Sequence, residues 1–517
     1  MSPLLAAALF IAGPVAGAEA SEANEGASPQ RPHIVVVLVD DLGFSDLGPT
    51  GSEIATPSID RLAAEGQLWL DFHNNAKCTT TRVSLLTGRT PDWPEPHIRD
   101  DTPTVAETLQ AAGYRTVHVG KWHLAGRRDL IGAAAPYRPL DRGFDESYGL
   151  LDGCCNFFDP SRPDPDFKGG RVRNFFDGTT RVEQFPDDFY TTDAFTDRAT
   201  AAIAATRNDP RPLFLHLCYT APHYPLHAPA DVIATYRGRY RGGWEQLRSD
   251  RFERQKSLGL FPASVEGGAP ERDVPKWDSL SGAEQDYFDH VMATYAAMVQ
   301  EMDAGVGRVL SALDEQGLAD STLVLFLSDN GGCAEKPGGL HLDQTPGTVN
   351  SYTAVGPGWA YAQNTPYRRF KSWTHEGGTH TPLLVRWPGQ VPPGSRTRQF
   401  GHIIDLHATI AAAAGTTPLG QRHDVSARPV EGLDLSPAFR GETVHRDEPV
   451  CWYWAKNRAV RQNKWKAVWD RRNAEWELYD LDDDPTERRN RAADQPQMLE
   501  QLVAAWTEWA AQSGLKP

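Results

Sequence analysis

Cysteine is scarce, with six in 517 residues (Cys78, Cys154, Cys155, Cys218, Cys333 and Cys451). Their spacing matches neither a zinc site nor a dense disulfide framework. Beyond the first twenty residues no apolar run reaches the ~20 residues that a membrane helix needs, so membrane insertion is not expected. Positive charge is also in deficit. Lys and Arg number 52 against 68 Asp and Glu, for a formal net charge of -16. That balance argues against nucleic acid or an anionic membrane surface as a partner. It leaves an anionic small substrate open, because Lys, Arg and a metal clustered in one cleft reverse the local field. The chain shows no internal repeat and no long low-complexity segment.

What is present is ordinary globular composition, 40% hydrophobic and 23% charged, in a chain long enough for one large domain and a smaller one. Leu4 to Val15 is a short apolar run followed by small residues. It reads as a secretory signal peptide over 1–20, although no Lys or Arg precedes it. A polar linker over 21–31 follows, and the mature chain is expected to be exported to a periplasm or secreted.

Ile34 to Val39 is a continuous β-branched and Leu run, the pattern of a strand buried on both faces of a parallel sheet. Further strands are predicted at 115–120, 212–218, 322–327 and 383–387. Helices are predicted at 57–65, 103–112, 195–206, 283–316 and 405–414. This alternation implies a doubly wound α/β domain over 32–445. The tail from 446 to 517 reads differently. Segments 450–454, 458–469 and 476–481 look like antiparallel strands with short connections, closed by an amphipathic helix from about 495 to 512.

The polar residues of interest follow apolar strands, and open α/β sheets bind ligands beyond the carboxyl ends of their strands. Asp40 and Asp41 follow the first strand, Lys121 and His123 the second, His223 the third, and Asp329 and Asn330 the fourth. Acidic and amide oxygens gathered on one rim call for a hard cation, Ca²⁺ or Mg²⁺ rather than zinc. Cys78 lies in a polar stretch before a helix expected to start near Arg82, which would set it at an anion-binding helix end. Lys371 precedes a Gly377-Gly378 turn. Taken singly, each reads more readily as a cap, a turn or packed residue, or a solvated side chain.

In order along the chain, Val39-Asp40-Asp41-Leu42-Gly43, Cys78 to Gly88, Gly120-Lys121-Trp122-His123-Leu124, Ala221-Pro222-His223, Ser328-Asp329-Asn330-Gly331-Gly332 and Lys371 to Pro382 resemble the type I sulfatases, most closely the bacterial arylsulfatase-like members. The closing stretch Glu477 to Arg491 is similar too. The resemblance implies an alkaline-phosphatase-like fold, with a large mixed sheet flanked by helices and a smaller C-terminal antiparallel sheet plus helix. It implies that a formylglycine-generating or equivalent maturation enzyme converts Cys78 to Cα-formylglycine. One hydroxyl of the hydrated aldehyde then attacks sulfur, and the other drives elimination of sulfate. By the same resemblance Asp40, Asp41, Asp329 and Asn330 bind Ca²⁺, which also touches the group at Cys78. Arg82 and Lys121 hold that group, His123 is the base for elimination, His223 protonates the leaving alcohol and Lys371 binds sulfate. One departure bears on maturation: Thr80 stands where the family's Cys-x-Pro-x-Arg signal carries proline.

Three functions compete. The first is hydrolysis of a sulfate monoester on a sulfated carbohydrate or aryl alcohol. The second is phosphodiester or phosphonate monoester hydrolysis on the same fold. The third is binding of sulfated glycans by an unmodified Cys78. Aromatics in the long segments, among them Trp244, Trp277, Trp359 and Tyr361, are readable either as substrate platforms or as packing.

Overall fold

The computed structural model describes residues 31–93, 97–124 and 137–515. The expected signal peptide and nearly all of the expected linker lie outside the described residues.

The centre is a ten-stranded mixed sheet. Five neighbouring strands run parallel, in the order Thr322–Ser328, His33–Val39, Leu213–Cys218, Arg115–Gly120 and Glu146–Leu150. Antiparallel pairing begins on both sides of this block, at Leu383–Arg386 and at Phe175–Asp177. The strand His33–Val39 is buried at every position. Its side chains alternate between two faces, as the pleat requires. Val35, Val37 and Val39 join one apolar cluster, with residues of the helices Thr191–Ala204 and Gly282–Glu315. Ile34, Val36 and Leu38 join another, with residues of the helices Cys78–Thr87, Val105–Ala111 and Asp405–Ala413. Helices therefore cover both faces, as expected of a doubly wound sheet. Capping boxes at Thr104/Glu107 and Ser281/Glu284 fix the starts of two of them.

Register brings the strand ends together. Val39 pairs with Ser328, so Asp40 and Asp329 leave adjacent strands side by side. Gly120 and Leu38 both pair with Cys218, which brings Lys121 to the same edge.

The C-terminal residues form a four-stranded antiparallel sheet, Val450–Trp454, Asn457–Gln462, Trp465–Asp470 and Glu475–Asp480, with the helix Pro496–Gln512 on one face. The single strand expected at 458–469 is instead a hairpin. Asn463 turns the chain at φ +54°, a left-handed conformation that Asn tolerates. The other sheet face meets the central region, where Trp452 Nε1 donates to the Asn74 carbonyl at 2.7 Å.

Candidate active site

Three buried ion pairs line the rim. Lys121 Nζ donates to Asp40 Oδ2 at 2.5 Å. Lys371 Nζ lies 2.6 Å from Asp41 Oδ1. Arg82 donates through Nε and Nη2 to Asp329 Oδ2, at 3.0 and 2.8 Å. Its Nη1 donates to the Lys121 carbonyl at 2.8 Å, which ties the helix of Arg82 to the strand end of Lys121. All six side chains are at most 3% exposed.

Each aspartate thus gives one oxygen to a cation. The second oxygens are poorly served: Asp40 Oδ1 and Asp41 Oδ2 have no hydrogen-bond partner, and neither has Asn330 Oδ1. Asp329 Oδ1 accepts only a 3.3 Å bond from the Asp41 N–H. Buried oxygens left bare cost free energy unless something else binds them. Burial and the neighbouring Asp329 push the Asp40 carboxyl up to about 8, against the pull of Lys121. Asn330 is assigned with Nδ2 donating to Asp41 Oδ1 at 2.6 Å. Turning the amide over would direct its oxygen there instead. Hard oxygen donors at such spacing suit a divalent cation of the Ca²⁺ or Mg²⁺ type.

Cys78 opens its helix, four residues ahead of the start expected near Arg82. Lys77 is the N-cap in extended conformation, with no side-chain cap. Thr80 and Thr81 do the local bonding. Thr80 Oγ1 donates to the Lys77 carbonyl at 2.8 Å, and Thr81 Oγ1 accepts from the Asn75 N–H at 2.9 Å. The Cys78 sulfur and carboxylate oxygens of Asp40 and Asp329 all lie within 4.8 Å of one another. The Cys78 side chain is therefore in the acidic nest, although it is only 1% exposed.

The two histidines differ in how they are held. His223 Nδ1 donates to the Tyr224 carbonyl at 2.5 Å, leaving Nε2 3.4 Å from Asp41 Oδ2. His123 sits at φ +58°, and its buried Nδ1 has no partner. Burial, with Lys121 and Arg82 nearby, holds His123 well below the ordinary imidazole range. Burial, Lys371 and Lys121 do the same to His223. Lys371 moves the other way: burial opposes its charge, but Asp41 together with further neighbours, Glu335 among them, raises it.

Nine of the ten residues anticipated from the sequence are joined by these contacts; His123, two residues past Lys121, is within reach of the charges of Lys121, Arg82 and His223. Other contributors were not anticipated. Glu335 pairs with Lys77 at 2.8 Å and accepts from the Tyr224 hydroxyl at 2.6 Å, bridging the segments that carry Cys78 and His223. Gly120, at φ +108°, leaves no room for a side chain, since a Cβ there would overlap the Cys218 carbonyl oxygen. Gly153 leaves room for His123; an added Cβ would lie 2.6 Å from its Cε1. A glycine at a strand end or beside a polar motif was the available signal for both. The aromatics left open as platforms pack instead: Trp244, Trp277 and Trp359 are at most 5% exposed and contact one another.

Comparison with known proteins agrees with this geometry. The sulfatase family matches residues 32–416, and the C-terminal region of N-sulphoglucosamine sulphohydrolase matches residues 367–510. An uncharacterized sulfatase of Schizosaccharomyces pombe is 32% identical, covering 95% of this chain and 96% of its own. The arylsulfatase of Klebsiella aerogenes is 30% identical over 79% of this chain and 92% of its own. Among solved structures, Ps i-CgsB in complex with k-i-k-neocarrahexaose superposes with a TM-score of 0.68 at 27% identity, over 93% of each chain. With a match spanning most of its length and an acidic rim that encloses Cys78, this chain belongs to the sulfatase family and is a sulfuric ester hydrolase.

Proposed function

We propose that this sulfatase cleaves the sulfate ester of a carbohydrate or aryl alcohol at position 78, after conversion of Cys78 to Cα-formylglycine by a maturation enzyme. The observation carrying this reading is the closeness of the Cys78 sulfur to the Asp40 and Asp329 carboxylates. The sulfur stands in for the group that maturation would leave there. Hydrated formylglycine would supply an oxygen nucleophile that a thiol does not. Asp40, Asp41, Asp329 and Asn330 would hold Ca²⁺, and their bare oxygens support that assignment. Bound Ca²⁺ would polarise and orient a sulfate oxygen.

The remaining roles belong to the chain's own residues. Arg82 and Lys121 hold the group at position 78, and Lys371 binds a sulfate oxygen. With burial and nearby cations lowering its basicity, His123 stays neutral near pH 7 and accepts a proton. In His223, the bond from Nδ1 to the Tyr224 carbonyl leaves Nε2 as the atom that gives a proton to the departing alcohol oxygen. Its lowered basicity leaves the free ring neutral near pH 7, so Nε2 must take up a proton on substrate binding before passing it to the alcohol oxygen.

A carbohydrate leaving group is supported by the likeness to Ps i-CgsB, solved in complex with k-i-k-neocarrahexaose. An aryl one is supported by the Klebsiella arylsulfatase. Export is supported by the Leu4 to Val15 run and is checked by the N-terminal sequence of the mature protein. The decisive test is the intact mass of the Cys78 peptide from cells containing a maturation enzyme, with sulfate release on matched sulfate and phosphate aryl esters. Formylglycine together with sulfate preference is expected. A thiol throughout, or a large phosphate preference, would refute it.

A further inference from the structure

Beyond the sulfate-binding rim, a string of rings leads outward from His223. The His223 and Tyr224 rings are 4.2 Å apart, Tyr224 and Tyr352 6.2 Å, and Tyr352 and Phe167 5.5 Å. The string ends on His341, which stacks on Phe167 at 5.4 Å with an interplanar angle of 21°. Phe167 is 46% exposed, although its edge is held by Tyr352 and one face by His341. It is therefore a fixed aromatic surface rather than a loose side chain.

Lys168 follows it in the same short 3₁₀ turn, Asp166–Lys168. Its Nζ donates to the Tyr224 hydroxyl at 3.2 Å and lies 5.0 Å from the centre of that ring. Lys77, Lys121 and Lys371 each pair with a carboxylate. Lys168 makes no ion pair with a described residue. Its ammonium is drawn in over the leaving-group side of the site, where the neighbouring carboxylate, Glu335, bonds the same Tyr224 hydroxyl but pairs with Lys77.

An exposed ring face beside an unpaired ammonium fits one ligand chemistry. The apolar face of a pyranose stacks on the ring, and an anionic substituent of that sugar meets the cation. We propose that Phe167, His341 and Lys168 form an outer subsite for an acidic sugar. That sugar carries a second sulfate or a carboxylate and adjoins the unit whose sulfate is cleaved. The proposal rests on the sulfatase reading, because it takes His223 as the leaving-group side.

The test uses full-length matured enzyme and its Lys168→Met, Lys168→Arg and Phe167→Ala variants. Substrates are an aryl sulfate with an uncharged leaving group and sulfated disaccharides whose second unit is neutral, sulfated or a uronate. Lys168→Met is expected to raise KM for the charged disaccharides roughly tenfold more than for the aryl sulfate, with matched changes in kcat. Lys168→Arg should restore most of that difference, and high salt should shrink it. Phe167→Ala should raise KM for every disaccharide relative to the aryl sulfate. The preferred charged disaccharide identifies sulfate or carboxylate as the anion. Equal loss on all substrates, or a wild type indifferent to charge on the second unit, overturns the subsite and leaves the sulfatase reading intact. A matured wild type that turns over no sulfate ester removes both.

Discussion

Two of the buried charge clusters among the described residues, one around Glu376 and one around Cys78, are built differently. Around Glu376 each carboxylate oxygen faces a cation, a histidine or a backbone N–H, although Glu487 Oε1 approaches Lys466 without a formed hydrogen bond. Glu376 Oε1 is 2.6 Å from Lys466, and its Oε2 contacts His73 at 2.9 Å and His380 at 2.8 Å. Asp71 takes a bidentate bond from Arg461, at 2.7 Å on each oxygen. Glu487 accepts the Glu376 N–H at 2.9 Å and lies 3.0 Å from Lys466. This cluster fastens the turn after Lys371 to the C-terminal sheet. The rim around Cys78 also matches three carboxylates with three cations, yet it leaves oxygens of Asp40, Asp41 and Asn330 bare. Net charge does not separate the two. Unfilled coordination does, and it marks the cluster that waits for a ligand.

The largest break between them should come at Cys78. Cys78→Ala should lower kcat/KM by on the order of 10⁴-fold or more in a sulfate-release assay, with the thermal midpoint nearly unchanged. A variant retaining full activity would remove position 78 from the chemistry.

Next come paired carboxylate neutralisations, with opposite readouts. Glu376→Gln removes the carboxylate that Lys466 and two histidines share, leaving Lys466 only Glu487, and should cost about 3–5 kcal/mol in denaturant unfolding. Asp40→Asn leaves buried Lys121 without that carboxylate but relieves the repulsion between Asp40 and Asp329, so it should cost the metal-free protein less, on the order of 1–2 kcal/mol. The same variant should weaken Ca²⁺ binding by ~100-fold or more, measured by calorimetry.

The raised carboxyl gives a third test, again of the rim alone. In the metal-free protein burial and Asp329 raise the Asp40 carboxyl to about 8 against the pull of Lys121, so it competes for a proton near neutral pH. A cation must displace that proton, so Ca²⁺ affinity should rise with pH by up to roughly tenfold per unit and level off above pH 8. Proton release would appear as a buffer-dependent binding enthalpy. An affinity flat from pH 6 to 9 would contradict this.

The smallest effect is expected at Thr80. Thr80→Pro forfeits the hydroxyl bonds to the Lys77 and Asn75 carbonyls. Proline is tolerated in a first helical turn, so stability should shift by no more than about 1 kcal/mol. The fraction of chains carrying formylglycine, read by mass spectrometry, should rise.

Much of the central domain was legible because a strand buried on both faces announces itself. Ile34 to Val39 and Thr322 to Leu327 needed no tertiary information, and the polar residues just past them followed. The break within 458–469 was less visible: Asn463 and Lys464 turn between strands with similar residues on either side, and no glycine or proline marks the place. The start of the Cys78 helix was missed because Thr-Thr-Thr favours caps and turns locally, while tertiary burial pulls it into the helix. Glu335 and Tyr224 gave no signal, since an ion pair between segments 258 residues apart leaves no local pattern. The tryptophans of 244–359 were ambiguous for the same reason: stacking partners distant in sequence decide between platform and packing.

The glycine seam under the rim has a consequence for anyone redesigning this enzyme. Gly120 meets the Cys218 carbonyl, and Gly149 in turn meets the Gly120 carbonyl, main chain directly on main chain. Libraries that randomise these two positions should return almost nothing but glycine. Altered selectivity has to be sought in the segments that carry Phe167, Lys168 and His341, where side chains can change without disturbing the floor beneath them.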